Sequence, residues 1–370
     1  MLGYVRGTPV QPGVSVPVQQ ISPPVASDRP RRIFVLDGLR IAAALAVVAY
    51  HYIARTGGWS VDGKVHFPTL FPVAAYGWLG VQLFFLISGF VICMSCWGKP
   101  LQYFFVSRVV RLFPAYWFAV IATTVTLAVV PGGSHPLELT DVVTNLTMLQ
   151  EPIGVESVDG AYWTLFAEMR FYLLFAVIAW WGLTYRRLVF FCWVWIVVSA
   201  LFSSAPEGPL QMLVMPQYSW YFIAGIAFYL MYRFRPTLML VGIVLVSFCA
   251  SLPSTRMTWK NTAKYVGHEV PYWPVLVIVA ACFGVMALIA CGKLSGITWR
   301  WLPYAGSLTY PLYLLHENIG REMFSLLEDR VPVHVLLASV TVAVLIAAWL
   351  VHRFVERPVG RLLKQGLARL

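Results

Sequence analysis

The sequence predicts an all-α polytopic membrane protein, with about ten transmembrane helices around an intramembrane cavity. Of its 370 residues, 59% are hydrophobic and only 12% are charged, and the mean hydropathy is +0.73. A soluble domain carries about a quarter charged residues. Apolar stretches of roughly 20 residues recur with short polar loops between them, the length a helix needs to cross hydrocarbon. Lys and Arg gather in alternate loops, which is how a membrane protein records its orientation. The net charge of +11 is therefore a topological signal, not a nucleic-acid surface.

Residues 1–30, rich in Pro, Val, Ser and Gln, have no hydrophobic period and no apolar core of a signal peptide. They are expected to form a disordered cytoplasmic tail, pinned by Arg29, Arg31 and Arg32. A membrane domain follows at 31–358, and a basic cytoplasmic C-terminal tail at 359–370. Predicted spans lie at 35–54, 76–96, 112–131, 161–181, 187–203, 212–232, 236–252, 274–291, 303–323 and 333–352. An even count returns both termini to one side, expected to be the cytoplasmic side of a bacterial plasma membrane. On that side fall Arg108, Arg111, Arg186, Arg187, Arg233, Arg235, Lys293, Arg300 and the tail residues Arg353, Arg357, Arg361, Lys364 and Arg369. The opposite loop at 132–160 has no Lys or Arg but carries Glu138, Asp141, Glu151, Glu156 and Asp159. The loop at 253–273 is the exception, with Arg256, Lys260 and Lys264. In the second span Gly77, Gly80 and Gly89 would also permit a re-entrant segment.

The 15 Trp and 18 Tyr suit aromatic belts at both interfaces. Cys93 and Cys96 form the only close cysteine pair, without a second pair to complete a zinc site, so all six cysteines read as reduced helix residues and no metal is expected.

The polar residues inside apolar spans carry the functional signal, because ionisable groups at membrane depth are costly. Arg40 and His51 share the first span, with only Ala, Val, Leu, Ile and Tyr50 between them. On a helix rising 1.5 Å per residue they sit roughly 16–17 Å apart, about the reach of a long cofactor arm with an anionic head and a reactive tip. Glu168 and His316 enter the same half of the membrane as His51, whereas Arg40 lies toward Arg108 and Arg111. Thr164, Glu168 and Tyr172 are spaced by four and form one polar stripe. The structural alternatives are a packing role for His51 or His316, positive-inside anchoring for Arg108 and Arg111, and local pairing for Arg170. Ser88-Gly89 lacks the surroundings of an intramembrane serine protease.

These residues fall into an ordered series. Leu36-Asp37-Gly38-Leu39-Arg40 with His51 resembles the opening signature of the acyltransferase-3 family of integral membrane O-acyltransferases. Gly80-Val81-Gln82-Leu83-Phe84-Phe85-Leu86-Ile87-Ser88-Gly89-Phe90 is similar to its second signature. Arg108-Val109-Val110-Arg111 with Pro114, Tyr116 and Trp117 resembles the basic loop opening the third span. Trp163-Thr164-Leu165 with Glu168, Phe171, Tyr172 and Leu173 follows, then Leu308-Thr309-Tyr310-Pro311-Leu312-Tyr313-Leu314-Leu315-His316, then Phe354-Val355-Glu356-Arg357-Pro358. The series covers 33–358. Thr164 and Thr309 stand where serine is usual in the family. Gly57-Gly58 resembles a glycine pair of some members, though a loop turn explains it equally.

The resemblance implies a membrane enzyme that moves an acyl group from acyl-CoA, most simply acetyl-CoA, to a hydroxyl of a saccharide, glycolipid or secondary metabolite. A hydroxyl is a poor nucleophile and needs a base in hydrogen-bond reach. Histidine titrates nearest to that task, so His51 is assigned as general base. Glu168 could orient His51 or the acceptor. Thr164 and Tyr172 could donate to the oxyanion, and His316 is placed among the catalytic groups. Arg40, Arg108 and Arg111 suit the phosphates of coenzyme A, because guanidinium pairs bidentately with phosphate. The alternatives are a proton-coupled secondary transporter, weakened by the lack of an inverted repeat, and a binding or scaffolding membrane protein.

Overall fold

The computed structural model describes residues 32–130, 138–206 and 208–367, and no strand occurs among them. The tail expected at 1–30 lies outside the described residues. The longer helices are α1 (Phe34–Ala49), α2 (Gly80–Cys96), α3 (Leu101–Val129), α4 (Trp163–Trp181), α5 (Tyr185–Phe202), α6 (Ser219–Phe234), α7 (Leu238–Val266), α8 (Trp273–Ala290), α9 (Leu302–Leu315), α10 (Glu317–Leu327), α11 (Val333–Val351) and α12 (Arg357–Leu367). Eight helical segments among the described residues are long and apolar enough to cross a membrane: 34–54, 71–96, 101–129, 160–181, 185–202, 238–266, 273–290 and 333–367. The other two expected spans correspond to α6 and α9, of 16 and 14 residues.

Their shortness has a reason. Every residue of α6 except Arg233 is buried, so this helix is enclosed by its neighbours, as a helix apolar all round must be. The span expected at 212–232 is interrupted at Met215, whose φ of 53° ends the short helix Pro209–Val214. Trp195 donates to the Val214 carbonyl at 3.0 Å and Arg170 to the Met212 carbonyl at 2.7 Å, so both freed acceptors are satisfied. Arg170 also lies 4.4 Å over the Phe166 ring, which gives it a local structural role.

The glycines of the second span mark close helix crossings. α2 is one unbroken helix of 17 residues. A Cβ on Gly89 would collide with the Phe222 carbonyl of α6, and one on Gly225 with the Leu86 carbonyl of α2. Gly77 and Gly80 press in the same way on the Ala46 and Ala43 carbonyls of α1. Small residues let backbones approach to contact where lipid supplies no hydrophobic drive.

Contacts between loops and helix ends sort the turns of the described residues into two groups. Thr56 N–H donates to the Tyr265 carbonyl at 2.9 Å, Asp62 pairs with His268 at 2.7 Å, Ser60 N–H reaches Glu328 at 2.9 Å, and Asn318 N–H reaches Asp159 at 3.0 Å. The turns after α1 and before α4, the start of α10, the turn after it and the C-terminal end of α7 therefore share the His51 end; residues 253–266, expected as part of a loop, continue α7 as helix. The start of α3 meets α12 at the other end, where Gly360 packs on Val110. The three basic residues at 256–264 lie in the C-terminal part of α7, whose 29 residues exceed a hydrocarbon core of about 30 Å by roughly two and a half turns.

Candidate active site

α1 does not end as a plain helix. Residues Tyr50–Ala54 form a π-helical turn closed by Arg55 N–H to the Tyr50 carbonyl at 2.9 Å. A π turn widens the helix and changes the direction of its side chains; here it carries His51. The span expected at 303–323 is also broken, at His316, between α9 and α10. The break is stapled from outside. The Tyr52 hydroxyl donates to the His316 carbonyl at 2.8 Å, and Asp159, from the turn before α4, accepts from Asn318 N–H at 3.0 Å and Ala161 N–H at 2.9 Å. Asp159 thereby serves α10 as an N-terminal cap supplied by a distant segment. Burial, and then the neighbouring Glu317 carboxylate, push the Asp159 carboxyl well above the usual carboxylate range.

The break brings four polar side chains together. His316 Nδ1 lies 2.7 Å from the Tyr313 carbonyl and must carry the hydrogen. In the neutral ring its Nε2 is then a lone pair, 3.0 Å from His51 Nδ1, which must donate. His51 Nδ1 also lies 3.1 Å from the Val47 carbonyl. The free nitrogen of a neutral His51 is therefore Nε2, which lies 3.4 Å from Glu317 Oε2. Glu317 Oε1 pairs with Arg55. His51, His316 and Glu317 are all buried.

The remaining site residues expected from the sequence gather in a separate cavity of about 90 Å³. Arg40, Arg108, Arg111, Thr164, Glu168 and Tyr172 all line it, with Ser88, Tyr310 and Tyr313. The stripe on α4 thus faces one space, as its four-residue spacing implies. Ser88 Oγ donates to Glu168 Oε1 at 2.6 Å, and Arg108 lies 5.8 Å over the Tyr172 ring. His51 and His316 do not line this cavity. Tyr313 joins the two regions: it forms part of the cavity wall, its ring packs 5.5 Å from that of His316, and its hydroxyl accepts from Thr164 at 2.9 Å. Arg108 and Arg111 also line an open groove with Arg357, Arg361, Lys364 and Glu356.

Of the two roles expected for Glu168, the one beside His51 is not where the structure places it. The carboxylate beside His51 belongs to Glu317, while Glu168 is bonded to Ser88. The residues that sequence reasoning passed over are Glu317, Arg55 and Asp159. Glu317 had a visible signal, an acid directly after His316 in an apolar span; Arg55 and Asp159 had none, since each sits in a loop. Gly57 has a φ of 84° and its carbonyl accepts from Arg321 at 2.8 Å, so the glycine pair builds a turn over this end of the site. Among the described residues no group of three or more His, Cys, Asp or Glu is arranged to hold a metal.

Comparison with known proteins gives two matches. A family described as an acyltransferase domain matches residues 33–353. Acyltransferase MdmB of Streptomyces mycarofaciens is 31% identical over 151 residues, which is 39% of this chain and 38% of that protein. The alignment thus spans well under two thirds of the curated relative's length. No solved structure matches.

Proposed function

Because this chain belongs to the acyltransferase-3 family of multi-pass membrane acyltransferases, we propose that it moves an acyl group from a coenzyme A thioester to a hydroxyl of a saccharide, glycolipid or glycosylated metabolite. The observation that carries the proposal is the histidine pair. With His316 bonded to the Tyr313 carbonyl and His51 Nδ1 donating to His316, the free basic nitrogen of the site is His51 Nε2.

In the proposed reaction Nε2 takes the proton as the acceptor oxygen attacks the thioester carbonyl. The C–S bond then breaks, the proton passes from His51 to the departing sulfur, and the products are the ester and free coenzyme A. Tyr172 supplies a hydroxyl donor on the cavity wall for the developing oxyanion, and Thr164 joins it by turning its hydrogen away from Tyr313. Arg40, Arg108 and Arg111 take the donor phosphates, and Arg357, Arg361 and Lys364 extend the same positive field along the groove. The donor enters from the cytoplasm at the arginine end, and its acyl tip passes Tyr313 to reach His51.

The test is incubation of the purified protein with acyl-labelled acetyl-CoA and hydroxyl acceptors of the three classes. Thioester loss matched by label in an ester supports the reading. Proton-linked solute uptake into proteoliposomes without thioester loss would replace it with a transporter.

A further inference from the structure

We propose that Glu317, held by Arg55, is a positioning residue for His51: its buried carboxylate orients the imidazole and stabilises the imidazolium formed when Nε2 takes the acceptor proton. The inference rests on the assignment of His51 as base and adds to it the group that makes that base effective.

Glu317 is nearly inaccessible, with its side chain 1% exposed. A carboxylate in that position must be paired, protonated or used. One oxygen is paired, since Oε1 meets the Arg55 guanidinium. Arg55 is itself held from the far side, its guanidinium 5.4 Å over the Tyr265 ring. The other oxygen is not. Oε2 is buried with no hydrogen bond among the described residues, yet it lies 3.4 Å from His51 Nε2. With a neutral His51, Nε2 has no hydrogen to give, and two acceptors face each other. Once Nε2 is protonated the same pair becomes a donor and a charged acceptor. The interaction is therefore worth most in the state the reaction creates, which is the condition for lowering a barrier.

The surroundings hold this geometry. Asp159 fixes the backbone of Asn318 next to Glu317, and Tyr52 fixes the carbonyl of His316 before it. Gly160 leaves room for the carboxylate, because a Cβ there would lie 2.8 Å from Glu317 Oε1. The charged and titratable groups around Glu317 include Arg55, His51, His316 and Asp159, together with the hydroxyls of Tyr50, Tyr162 and Tyr313. Arg55 sets a positive charge directly against the Glu317 carboxylate.

The experiment is a double-mutant cycle on the purified full chain in nanodiscs, with acetyl-CoA as donor. Glu317→Gln keeps the shape and removes the charge. It should lower kcat about 10- to 100-fold while KM for acetyl-CoA changes less than about twofold. In a His51→Ala background the same substitution should change the residual rate less than about twofold, since there is no imidazolium left to stabilise. A purely structural glutamate gives the opposite pattern, in which the loss is equal in both backgrounds and tracks protein yield. Unchanged kcat in Glu317→Gln, or equal losses in both backgrounds, overturns the positioning role while leaving His51 as base. Full turnover in His51→Ala removes the base and the positioning role together. Should Glu317→Gln fail to fold, Arg55→Gln run through the same cycle is expected to show the same non-additivity, and additivity there overturns the proposal.

Discussion

His316 Nε2 and His51 Nδ1 lie 3.0 Å apart, although 265 positions separate the two residues in the chain. One hydrogen bond thus sets the tautomer of a buried imidazole from a helix at the far end of the sequence. It leaves Nε2 as the nitrogen that can accept a proton.

His51→Ala is predicted to remove acyl transfer while leaving expression and membrane insertion intact. Loss of a general base costs about 10²–10⁴-fold in rate. Turnover within threefold of the parent protein, measured on equal amounts of purified protein, would exclude the assigned role.

His316→Ala should be less severe. It removes the acceptor that fixes the His51 tautomer but leaves the Val47 carbonyl at 3.1 Å as a second partner for Nδ1. We predict a fall in kcat on the order of 10- to 100-fold, as for loss of an orienting hydrogen bond. A loss equal to that of His51→Ala would show that His316 handles the substrate proton itself.

Arg40, Arg108 and Arg111 line one cavity, and alanine at any of them is predicted to raise KM for acetyl-CoA more than KM for the acceptor. A charge-assisted hydrogen bond is worth about 1.5–3 kcal/mol, or roughly 10- to 150-fold. Selective weakening of acceptor binding would reverse the proposed direction of the donor.

Gly89→Val should damage the fold, not the chemistry. Any Cβ at this position meets the Phe222 carbonyl of α6, and overpacking costs about 1–3 kcal/mol or more. The expected outcome is a lower melting temperature in detergent together with reduced yield. An unchanged melting temperature would mean that α2 and α6 do not cross at this point.

Topology decides which compartment supplies each substrate. In a background lacking the six native cysteines, Ser60→Cys and Ser203→Cys are predicted to react with impermeant maleimide in intact cells. Ser295→Cys should react only after lysis. All three positions are exposed. Labelling of Ser295→Cys alone in intact cells would invert the orientation and bring acyl-CoA to the His51 end.

The sequence by itself determined the class of protein and the position of its apolar helices, because hydropathy and charge alternation are properties of successive residues. It also placed Thr164, Glu168 and Tyr172 on one wall, since a helix repeats every 3.6 residues, and all three do line the cavity. Tertiary structure decided what those regularities do not encode. The break at His316 gives the Asn318 N–H, a donor that an unbroken helix would have paired internally, to Asp159, and Tyr52 adds a second donor to the His316 carbonyl beside the Gly320 N–H. Gly77, Gly80 and Gly89, which by sequence would also permit a re-entrant segment, are contact points between helices, because their use depends on which backbone lies opposite. The carboxylate next to His51 came from Glu317, locked by an arginine 262 positions away. Local pattern fixes which face of a helix a residue occupies; only packing decides which other face it meets.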